Sequence, residues 1–515
     1  MSEQLKRAVE NIISAGYQLS REAFQLLEAS QDTEQLDSVT KEILNKVGQT
    51  TPRPFVITRE LVEEILAKYL PERELATPTL EAGVGAPTVY SKQLESRLEI
   101  LDDPTNKMGS GGTAQDFVQY FRDRFERISK MLSQRLDARN AVSIAEGFEA
   151  RPNEKVKIIA MVMEKRQKER KIFIQIEDLE NTATVLVPEG ASRELLGLAQ
   201  KIPLDQVLCI EATRGRDTLF IAQDFILPDI PEKKVDLTEE PVNVVLLSDI
   251  HVGSRTFLEE PFRRLILWLN GKVGTLAEKE IAARTKYVII AGDLVDGVGV
   301  YPRQEDELAI PDVYEQYRLA ARFIEQIPDY VEVVLTPGNH DPVRQALPQP
   351  AIPKEFAEPV YESRKIVSLG NPARIRLHGI EFLIYHGRSL DDVIASAPNM
   401  NFQMPEKAME LLLKCRHLAP EYGKRTSIAP ERNDFLIIEQ PPNVFHSGHV
   451  HVVKHETYRG TLVVNSGAWQ SQTEYQKNMG LSPTPGILPV LSLNTMQITT
   501  IDFLRHETQE SPLKS

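Results

Sequence analysis

One short segment, residues 244–251, constrains the possible fold and function of this chain more than any other. It joins the apolar run Val244-Val245-Leu246-Leu247 to Ser248-Asp249-Ile250-His251. Short apolar runs rich in branched side chains are typical of buried strands. Side chains two positions apart on a strand point the same way, so Asp249 and His251 can reach one cation from its carboxyl end. We therefore predict a buried strand that ends in metal ligands.

Four further motifs of the same kind follow along the chain. They are Gly292-Asp293-Leu294-Val295-Asp296-Gly297, Gly338-Asn339-His340-Asp341, Tyr385-His386-Gly387 and Gly448-His449-Val450-His451. All but the His386 motif come after a recognisable apolar strand, in a loop where glycine lets the backbone turn sharply and brings ligands close to an ion. One such motif is a weak signal, whereas five in this order indicate a metal site.

The ligand types point to a hydrolase with two metal ions. Carboxylate, amide and imidazole ligands suit divalent manganese, iron or zinc, and a shared aspartate can hold two ions about 3.5–4 Å apart. Such a pair of ions activates water for in-line attack on phosphorus and neutralises the phosphoryl oxygens. The sequence therefore predicts hydrolysis of a phosphoester.

Histidine is distributed unevenly along the chain. All ten histidines lie beyond residue 250, although the chain has 515 residues. Because histidine is the commonest metal ligand, this distribution indicates a catalytic C-terminal half and an N-terminal half with another task. We expect His378, His417, His455 and His506 to be structural, because they lack a motif partner. His446, Asp296 and Asp341 are expected to support the ligands rather than bind metal.

Composition excludes several classes of protein. Two cysteines, Cys209 and Cys415, are too few for a disulfide framework or a thiolate metal site. The formal net charge of −14 gives no general attraction for nucleic acid. Without an apolar stretch of membrane-spanning length or a signal sequence, we expect a cytoplasmic protein with no membrane partner.

Periodicity and the placement of proline and glycine predict an α/β protein with several domains. Residues 1–70 are predicted to form a helical module and residues 71–115 a linker. Residues 116–230 begin with a helix and continue with five short strands, with a helix between the third and fourth. That order is typical of an oligonucleotide-binding-type barrel. Residues 241–505, in which strands ending in motifs alternate with helices, are predicted to form an α/β layered domain.

A basic cluster lies at the turn between the first two barrel strands. Two interpretations are open: contact with phosphates of a nucleic acid, or a solvated hairpin tip. The candidate nucleic-acid-binding residues are Lys165, Arg166, Lys168, Arg170 and Lys171.

The five motifs resemble the calcineurin-like metallophosphoesterase superfamily over roughly residues 242–470. The resemblance implies that His340 is the acid that assists the leaving oxygen. It implies one metal bound by Asp249, His251 and His451, a second bound by Asn339, His386 and His449, and Asp293 as the bridging ligand. The protein serine/threonine phosphatases of this superfamily have arginine and glutamate where this chain has Gly297 and Asp341, so phosphodiester chemistry is favoured.

A wider pattern resembles the small subunits of archaeal family D DNA polymerases. It comprises Ser248 to Ser254, Gly292 to Tyr301, Tyr385 to Asp392 and Pro483 to Ile487. The resemblance implies an oligonucleotide-binding barrel before a metallophosphoesterase sandwich and 3′–5′ exonuclease activity for proofreading, with two divalent metals. We expect manganese, with iron, zinc and magnesium as alternatives. The implied partners are single-stranded or mismatched DNA 3′ ends and a large catalytic polymerase subunit, with a sliding clamp as a further candidate.

Two other functions remain open from the sequence. The chain can be a catalytically weak scaffold for the large subunit, or a phosphodiesterase that acts on small molecules. Retention of seven ligand positions together with His340 favours an active nuclease over a scaffold.

Overall fold

The computed structural model describes residues 3–15, 17–20, 23–24, 27, 36–49, 56–57, 61–62, 65, 89–478 and 480–505. The chain forms two compact units, Met1–Ala86 and Pro87–Ser515. Among the described helices, none is both long enough and apolar enough to cross a membrane.

The first unit contains two described helices and a short strand pair. Its elements are α1 (Glu3–Ser14), β1 (Gln18–Leu19), α2 (Leu36–Gln49) and β2 (Val56–Ile57), with β1 parallel to β2. The helices bury apolar residues at helical spacing: Leu5, Ala8 and Ile12 on α1, and Val39, Ile43 and Val47 on α2. The helical module predicted over residues 1–70 lies partly outside the described residues and stays a prediction.

The second unit begins with four elements that precede a barrel. They are α3 (Tyr90–Gln93), β3 (Leu98–Asp102), α4 (Ala114–Ser133) and α5 (Ile144–Glu149). Helix α4 starts at a capping box in which Thr113 and Asp116 satisfy each other's backbone N–H groups. This helix confirms the one predicted from Asp116 onwards.

Five strands then close into a small barrel. They are β4 (Lys155–Lys168), β5 (Lys171–Glu177), β6 (Thr182–Val187), β7 (Val207–Arg214) and β8 (Leu219–Ile226), in the spatial order β4-β5-β6-β8-β7, and α6 (Arg193–Lys201) lies between β6 and β7. The five strands and the inserted helix occur in the predicted order. Assignment of the barrel to the oligonucleotide-binding class remains a prediction.

The remainder of the unit supplies eleven of the twelve strands of two six-stranded sheets, together with their helices. Its elements are β9 (Asn243–Leu247), α7 (Glu259–Leu269), α8 (Leu276–Ala283), β10 (Thr285–Ala291), a 3-10 turn (Gln304–Asp306), α9 (Val313–Glu325), β11 (Glu332–Thr336), α10 (Lys354–Ser363), β12 (Ile366–Ser368), β13 (Ala373–Leu377), β14 (Ile380–Ile384), α11 (Leu390–Ser396), α12 (Pro405–Cys415), β15 (Val444–Ser447), β16 (Val453–Tyr458), β17 (Thr461–Ser466), α13 (Glu474–Asn478), β18 (Ile487–Ser492) and β19 (Gln497–Asp502).

The two sheets pack face to face between layers of helices. The first has the order β12-β11-β10-β9-β18-β19 and the second β16-β17-β15-β14-β13-β3. On β9, Val244 and Leu246 pack against the second sheet, whereas Val245 and Leu247 pack against the helical side. Both faces of β9 are therefore buried, which explains its continuous apolar run. The mixed α/β architecture predicted from the sequence is confirmed.

The edge strand β3 lies within the segment that was predicted to be a linker, so that prediction is wrong for these residues. Leu98–Asp102 pairs antiparallel with β13, and the partly buried Leu98 packs against the core between the two sheets. The predicted linker over residues 71–115 therefore does not extend over these five residues. The proline and glycine residues from which the linker was predicted lie on either side of the strand. The strand itself was therefore missed.

A buried ion-pair cluster ties α4 to the C-terminal sandwich. The guanidinium of Arg124 donates from Nε to Asp434 Oδ2 at 2.8 Å and from Nη1 to the Pro420 carbonyl at 2.8 Å. His417 Nε2 lies 2.8 Å from the same oxygen of Asp434, and His417 Nδ1 accepts the N–H of Ala419 at 3.0 Å. Asp434 thus has both a charged and a polar partner in the protein interior, as a buried carboxylate requires.

Candidate metal centre

The motifs meet at one end of the two packed sheets. Asp249 and Asp293 follow β9 and β10, which are parallel neighbours, and Asn339 follows β11 on the far side of β10. His386 and His449 follow β14 and β15, which are parallel neighbours in the second sheet. Since carboxyl ends of parallel strands share an edge, both sheets deliver polar side chains to the same region.

One group of ligand atoms comes from Asp249, His251 and His451, all of which are buried. Nε2 of His451 lies 3.4 Å from Asp249 Oδ1 and 3.2 Å from Nε2 of His251. Oδ1 of Asp249 has no hydrogen-bond partner although it is buried. A buried carboxylate oxygen without a donor is costly, and a cation at this position would satisfy it.

A second group comes from Asp293, His386 and His449. Nε2 of His386 lies 3.2 Å from Asp293 Oδ2 and 3.1 Å from the amide oxygen Oδ1 of Asn339. The same Oδ2 of Asp293 is 3.9 Å from Nε2 of His251. One carboxylate oxygen therefore faces both groups, the position that a bridging ligand needs.

Left-handed backbone conformations occur at five of these ligand positions. The φ angles are 50° at Asp249, 55° at His251, 53° at Asp293, 69° at His449 and 62° at His451. Non-glycine residues adopt positive φ at a cost of order 1–3 kcal/mol each, and such strain concentrates at functional sites. The surrounding sheets impose the geometry of the site on its ligands.

Two glycines leave the space that the carboxylates occupy. A Cβ atom on Gly338 would lie 2.1 Å from Asp293 Oδ1, and one on Gly448 would lie 2.4 Å from Asp249 Oδ2. Both distances are far inside van der Waals contact. At these two positions the lack of a side chain lets the loop backbone lie against the carboxylates. The predicted role of glycine in bringing ligands close to an ion stays a prediction.

Each of the four imidazoles has one ring nitrogen held by a second group. Nδ1 of His251 lies 3.0 Å from Asp296 Oδ1, and Nδ1 of His386 donates to the Ala291 carbonyl at 2.9 Å. Nδ1 of His451 lies 3.0 Å from Gln476 Nε2. For His449 the held nitrogen is Nε2, which lies 3.3 Å from Asp391 Oδ2. Contacts of this kind fix the ring orientation of metal-binding histidines and raise their affinity.

His340 lies beside the ligands. Its backbone N–H donates to Asp293 Oδ1 at 2.8 Å, and its Nδ1 donates to the Asp296 carbonyl at 2.7 Å. The ring packs edge-on against His251, with 4.6 Å between centroids. The Nε2 atom of His340 is consequently the ring nitrogen that has no hydrogen-bond partner in the described part of the chain.

Charge balance within the centre follows from burial and ion pairing. Burial opposes the charged form of Asp293, but the neighbouring His386 and His340 outweigh it and hold the pKa of that carboxyl well below its usual range. Burial likewise opposes a charged His386, and Asp293 outweighs it and raises the pKa of the imidazole. Asp341 receives the N–H groups of Asp293 and Gly338, while burial and the Asp293 charge raise its pKa.

Two residues that hold ligands were missed by sequence reasoning. Asp391 stands inside the segment from Tyr385 to Asp392 that carries the family resemblance, so a signal was present. Gln476, on α13, carries no pattern that distinguishes it from other glutamines. The supporting role expected for Asp296 agrees with its contact to His251.

Histidines expected to be structural lie apart from the ligand groups where the chain is described. His378 bonds to Tyr287 and Glu240, and His417 bonds to Asp434. His446 Nε2 lies 3.0 Å from Ser466 Oγ and belongs to neither ligand group. His455 is exposed on β16, and His506 lies outside the described residues.

The basic cluster occupies the β4–β5 hairpin. Three of its side chains, Lys165, Arg166 and Arg170, contact other groups of this chain. Lys165 donates to the carbonyls of Gln200 and Ile202 at the end of α6. Arg166 pairs with Glu164 at 2.6 Å, and Arg170 approaches Glu189 at 3.6 Å. Lys168 and Lys171 pair with each other across the hairpin backbone. Nucleic-acid binding by the cluster remains a prediction.

Comparison with known proteins gives consistent matches. The family model that describes the B subunits of DNA polymerases alpha and epsilon matches residues 244–452. The DNA polymerase II small subunit of Pyrococcus furiosus is 41% identical over 80% of this chain and 68% of its own length. That of Archaeoglobus fulgidus is 38% identical over 87% of this chain and 89% of its own length.

Among solved structures, a novel archaeal phosphodiesterase matches at 15% identity with a TM-score of 0.26, covering 50% of this chain and 99% of that one. The sequence relatives extend over most of both chains and agree with the order of motifs described above. The chain therefore belongs to the family of archaeal DNA polymerase II small subunits, the small subunits of family D DNA polymerases.

Proposed function

We propose that this chain is a metal-dependent 3′–5′ exonuclease that hydrolyses phosphodiester bonds at DNA 3′ ends and proofreads for a replicative polymerase. Family membership supports the polymerase context, and the ligand groups support the hydrolytic chemistry. The name small subunit, carried by the relatives, implies a large catalytic subunit as partner. DNA and a sliding clamp are the further proposed partners.

The position of Asp293 carries this proposal. Its Oδ2 faces His386 at 3.2 Å and His251 at 3.9 Å, so one carboxylate serves both ligand groups. The donor set of carboxylate, amide and imidazole fits two divalent ions. The buried Oδ1 of Asp249, which has no hydrogen-bond partner, is a further indication of a cation. Manganese is the proposed metal, with iron, zinc and magnesium as alternatives.

Asp249, His251 and His451 would hold one ion, Asn339, His386 and His449 the other, and Asp293 would bridge them. Two such ions supply an activated water and neutralise charge on the phosphoryl oxygens. The protein's own groups position the reaction. The four imidazole rings are held by Asp296, the Ala291 carbonyl, Asp391 and Gln476. These contacts would keep the ring nitrogens in place to bind the ions.

His340 is the proposed acid. Its Nδ1 proton is committed to the Asp296 carbonyl at 2.7 Å, so proton transfer to the leaving 3′ oxygen takes place from Nε2. The N–H of His340 on Asp293 Oδ1 fixes the residue relative to the bridging carboxylate. The same hydrogen bonds keep the ring from turning away from the site.

A manganese-dependent assay on 3′-labelled and 5′-labelled single strands and mismatched duplexes tests the proposal. We expect stepwise shortening from the 3′ end by the wild type and none by Asp293→Ala. Intact strands with wild-type protein would favour the scaffold function. Hydrolysis of small phosphodiesters far faster than nucleotide release would favour a small-molecule phosphodiesterase.

A further inference from the structure

The segment that connects His386 to α11 is fixed against the loop that carries His449. Gly387 has a φ of 116°, and a Cβ atom there would lie 2.6 Å from Ser447 Oγ and 3.0 Å from the Gly448 carbonyl oxygen. Ser389 is buried, accepts the Tyr385 hydroxyl at 2.8 Å and donates to the Leu418 carbonyl. Arg388 stands between the closely packed Gly387 and the hydrogen-bonded Ser389, and its side chain is 33% exposed.

The guanidinium of Arg388 lies beside His449. Its Nη1 is 3.6 Å from Asp391 Oδ2, and that same oxygen is 3.3 Å from Nε2 of His449. The arginine and the imidazole therefore flank one carboxylate oxygen. At 3.6 Å the arginine contact is an ion pair without a hydrogen bond.

Arg388 donates no hydrogen bond to any residue in the described part of the chain. A guanidinium offers five N–H groups in a planar fork, and that fork matches the oxygens of a phosphate. Partly exposed ion pairs stabilise a fold by only about 0–1 kcal/mol. The pairing of Arg388 with Asp391 therefore contributes little to the stability of the fold. An anionic ligand that approaches His449 would supply the missing acceptors.

We propose that Arg388 binds the scissile phosphodiester of the substrate through its guanidinium, and that Asp391 holds the arginine beside His449. This inference rests on the proposed function, because it assumes a phosphodiester at the ligand groups. Arg388 would contact non-bridging oxygens of the phosphate. Asp391 would act as a positioning residue for both the arginine and His449.

The test compares Arg388→Gln with Arg376→Gln in the full-length chain. Arg376 is a matched control, since its side chain is 35% exposed and already paired with Glu99 and Glu381. Each variant is assayed with manganese on bis(p-nitrophenyl) phosphate and on a 3′-labelled single strand. Inhibition by inorganic phosphate and bound metal are measured in parallel.

For Arg388→Gln we expect kcat/KM to fall about 10- to 100-fold on both substrates, the size of a lost charge-assisted hydrogen-bond pair. The inhibition constant of phosphate should rise by a similar factor while bound metal stays unchanged. Arg388→Lys keeps the charge without the fork and should recover part of the loss. Arg376→Gln should match the wild type in all four measurements.

Three results would overturn the inference: unchanged kcat/KM and phosphate inhibition, a loss confined to the DNA substrate, or a loss of metal from Arg388→Gln. A wild-type protein that leaves DNA 3′ ends intact would instead refute the proposed nuclease. In that case the equilibrium affinity of the manganese-loaded protein for inorganic phosphate, compared between wild type and Arg388→Gln, still decides the role of Arg388.

Discussion

The imidazoles of His251 and His451 face each other with their Nε2 atoms 3.2 Å apart. Two ring nitrogens at this separation cannot both carry a proton, so they need a shared proton or a common cation between them. The adjoining Oδ1 of Asp249 lacks a hydrogen-bond partner. Side chains from the loop after β9 and from the loop after β15 are thus arranged for an ion.

Metal removal should destabilise the protein. A ligand that binds only the folded state at 100 times its Kd adds about 2.7 kcal/mol to the free energy of unfolding. Thermal unfolding of chelator-treated protein should therefore shift to higher Tm when manganese is added. The shift should shrink in His451→Ala. An equal shift in both proteins would place the bound metal elsewhere.

Asp293→Ala should abolish hydrolysis and remove both metals. Oδ2 of Asp293 faces both ligand groups, so no neighbouring side chain can replace it. Elemental analysis after gel filtration measures the metal retained. Asp224→Ala, a substitution on barrel strand β8, provides the control and should keep the wild-type metal content. Full metal retention by Asp293→Ala would contradict the bridging role.

His340→Ala should retain metal yet slow turnover about 10²- to 10⁴-fold, the usual contribution of a general acid. The residue lies next to the ligand groups but directs only Nε2 towards the site. The exposed His455→Ala serves as the matched control and should keep wild-type turnover. Metal loss equal to that of Asp293→Ala would show that His340 is a ligand.

Gly338→Ala should weaken metal binding more than it weakens the fold. The new methyl group would lie 2.1 Å from Asp293 Oδ1 and push the bridging carboxylate from its place. Gly190→Ala, where the added methyl has open space, is the control. We expect metal loss with Gly338→Ala alone, measured by elemental analysis. Equal metal content in the two variants would argue against this account.

Acid should destabilise the second unit through His417. Burial and the charge of Arg124 lower the pKa of this imidazole to about 4, from an ordinary 6.5. Above pH 6.5 the group is neutral in both states and its stabilisation is fully present. As pH falls from 6.5 to 4, His417 becomes protonated in the unfolded chain but stays neutral in the folded chain. The free energy of unfolding therefore falls.

The Tm of the wild type should consequently drop more steeply between pH 6.5 and 4 than that of His417→Gln. Glutamine retains a donor towards Asp434 but does not titrate. Parallel Tm curves for the two proteins would show that another group controls acid stability in this range.

Features that depend on neighbouring residues in the chain could be predicted from the sequence, whereas contacts between distant segments could not. The strand ends and their motifs were predictable because apolar runs and glycine loops are local patterns. The structure brings the seven candidate ligands together, and their role as metal ligands stays a prediction. The contacts of Asp391 and Gln476 with His449 and His451 join segments 58 and 25 residues apart in the chain. Such pairings depend on the sheet order, which the pattern of residues does not specify.

Strand β3 belongs to the two-sheet sandwich although it precedes the barrel in the sequence. Leu98–Asp102 completes the second sheet beyond β13, although the barrel stands between the two in sequence. A fragment that starts at residue 241 would keep the pairing of β13 with β14 but would leave the groups on the other edge of β13 without their β3 partners. That exposed sheet edge would favour aggregation. Gene truncations meant to isolate the two-sheet domain should therefore retain residues from 87 onwards, and a fragment that begins at residue 241 should aggregate.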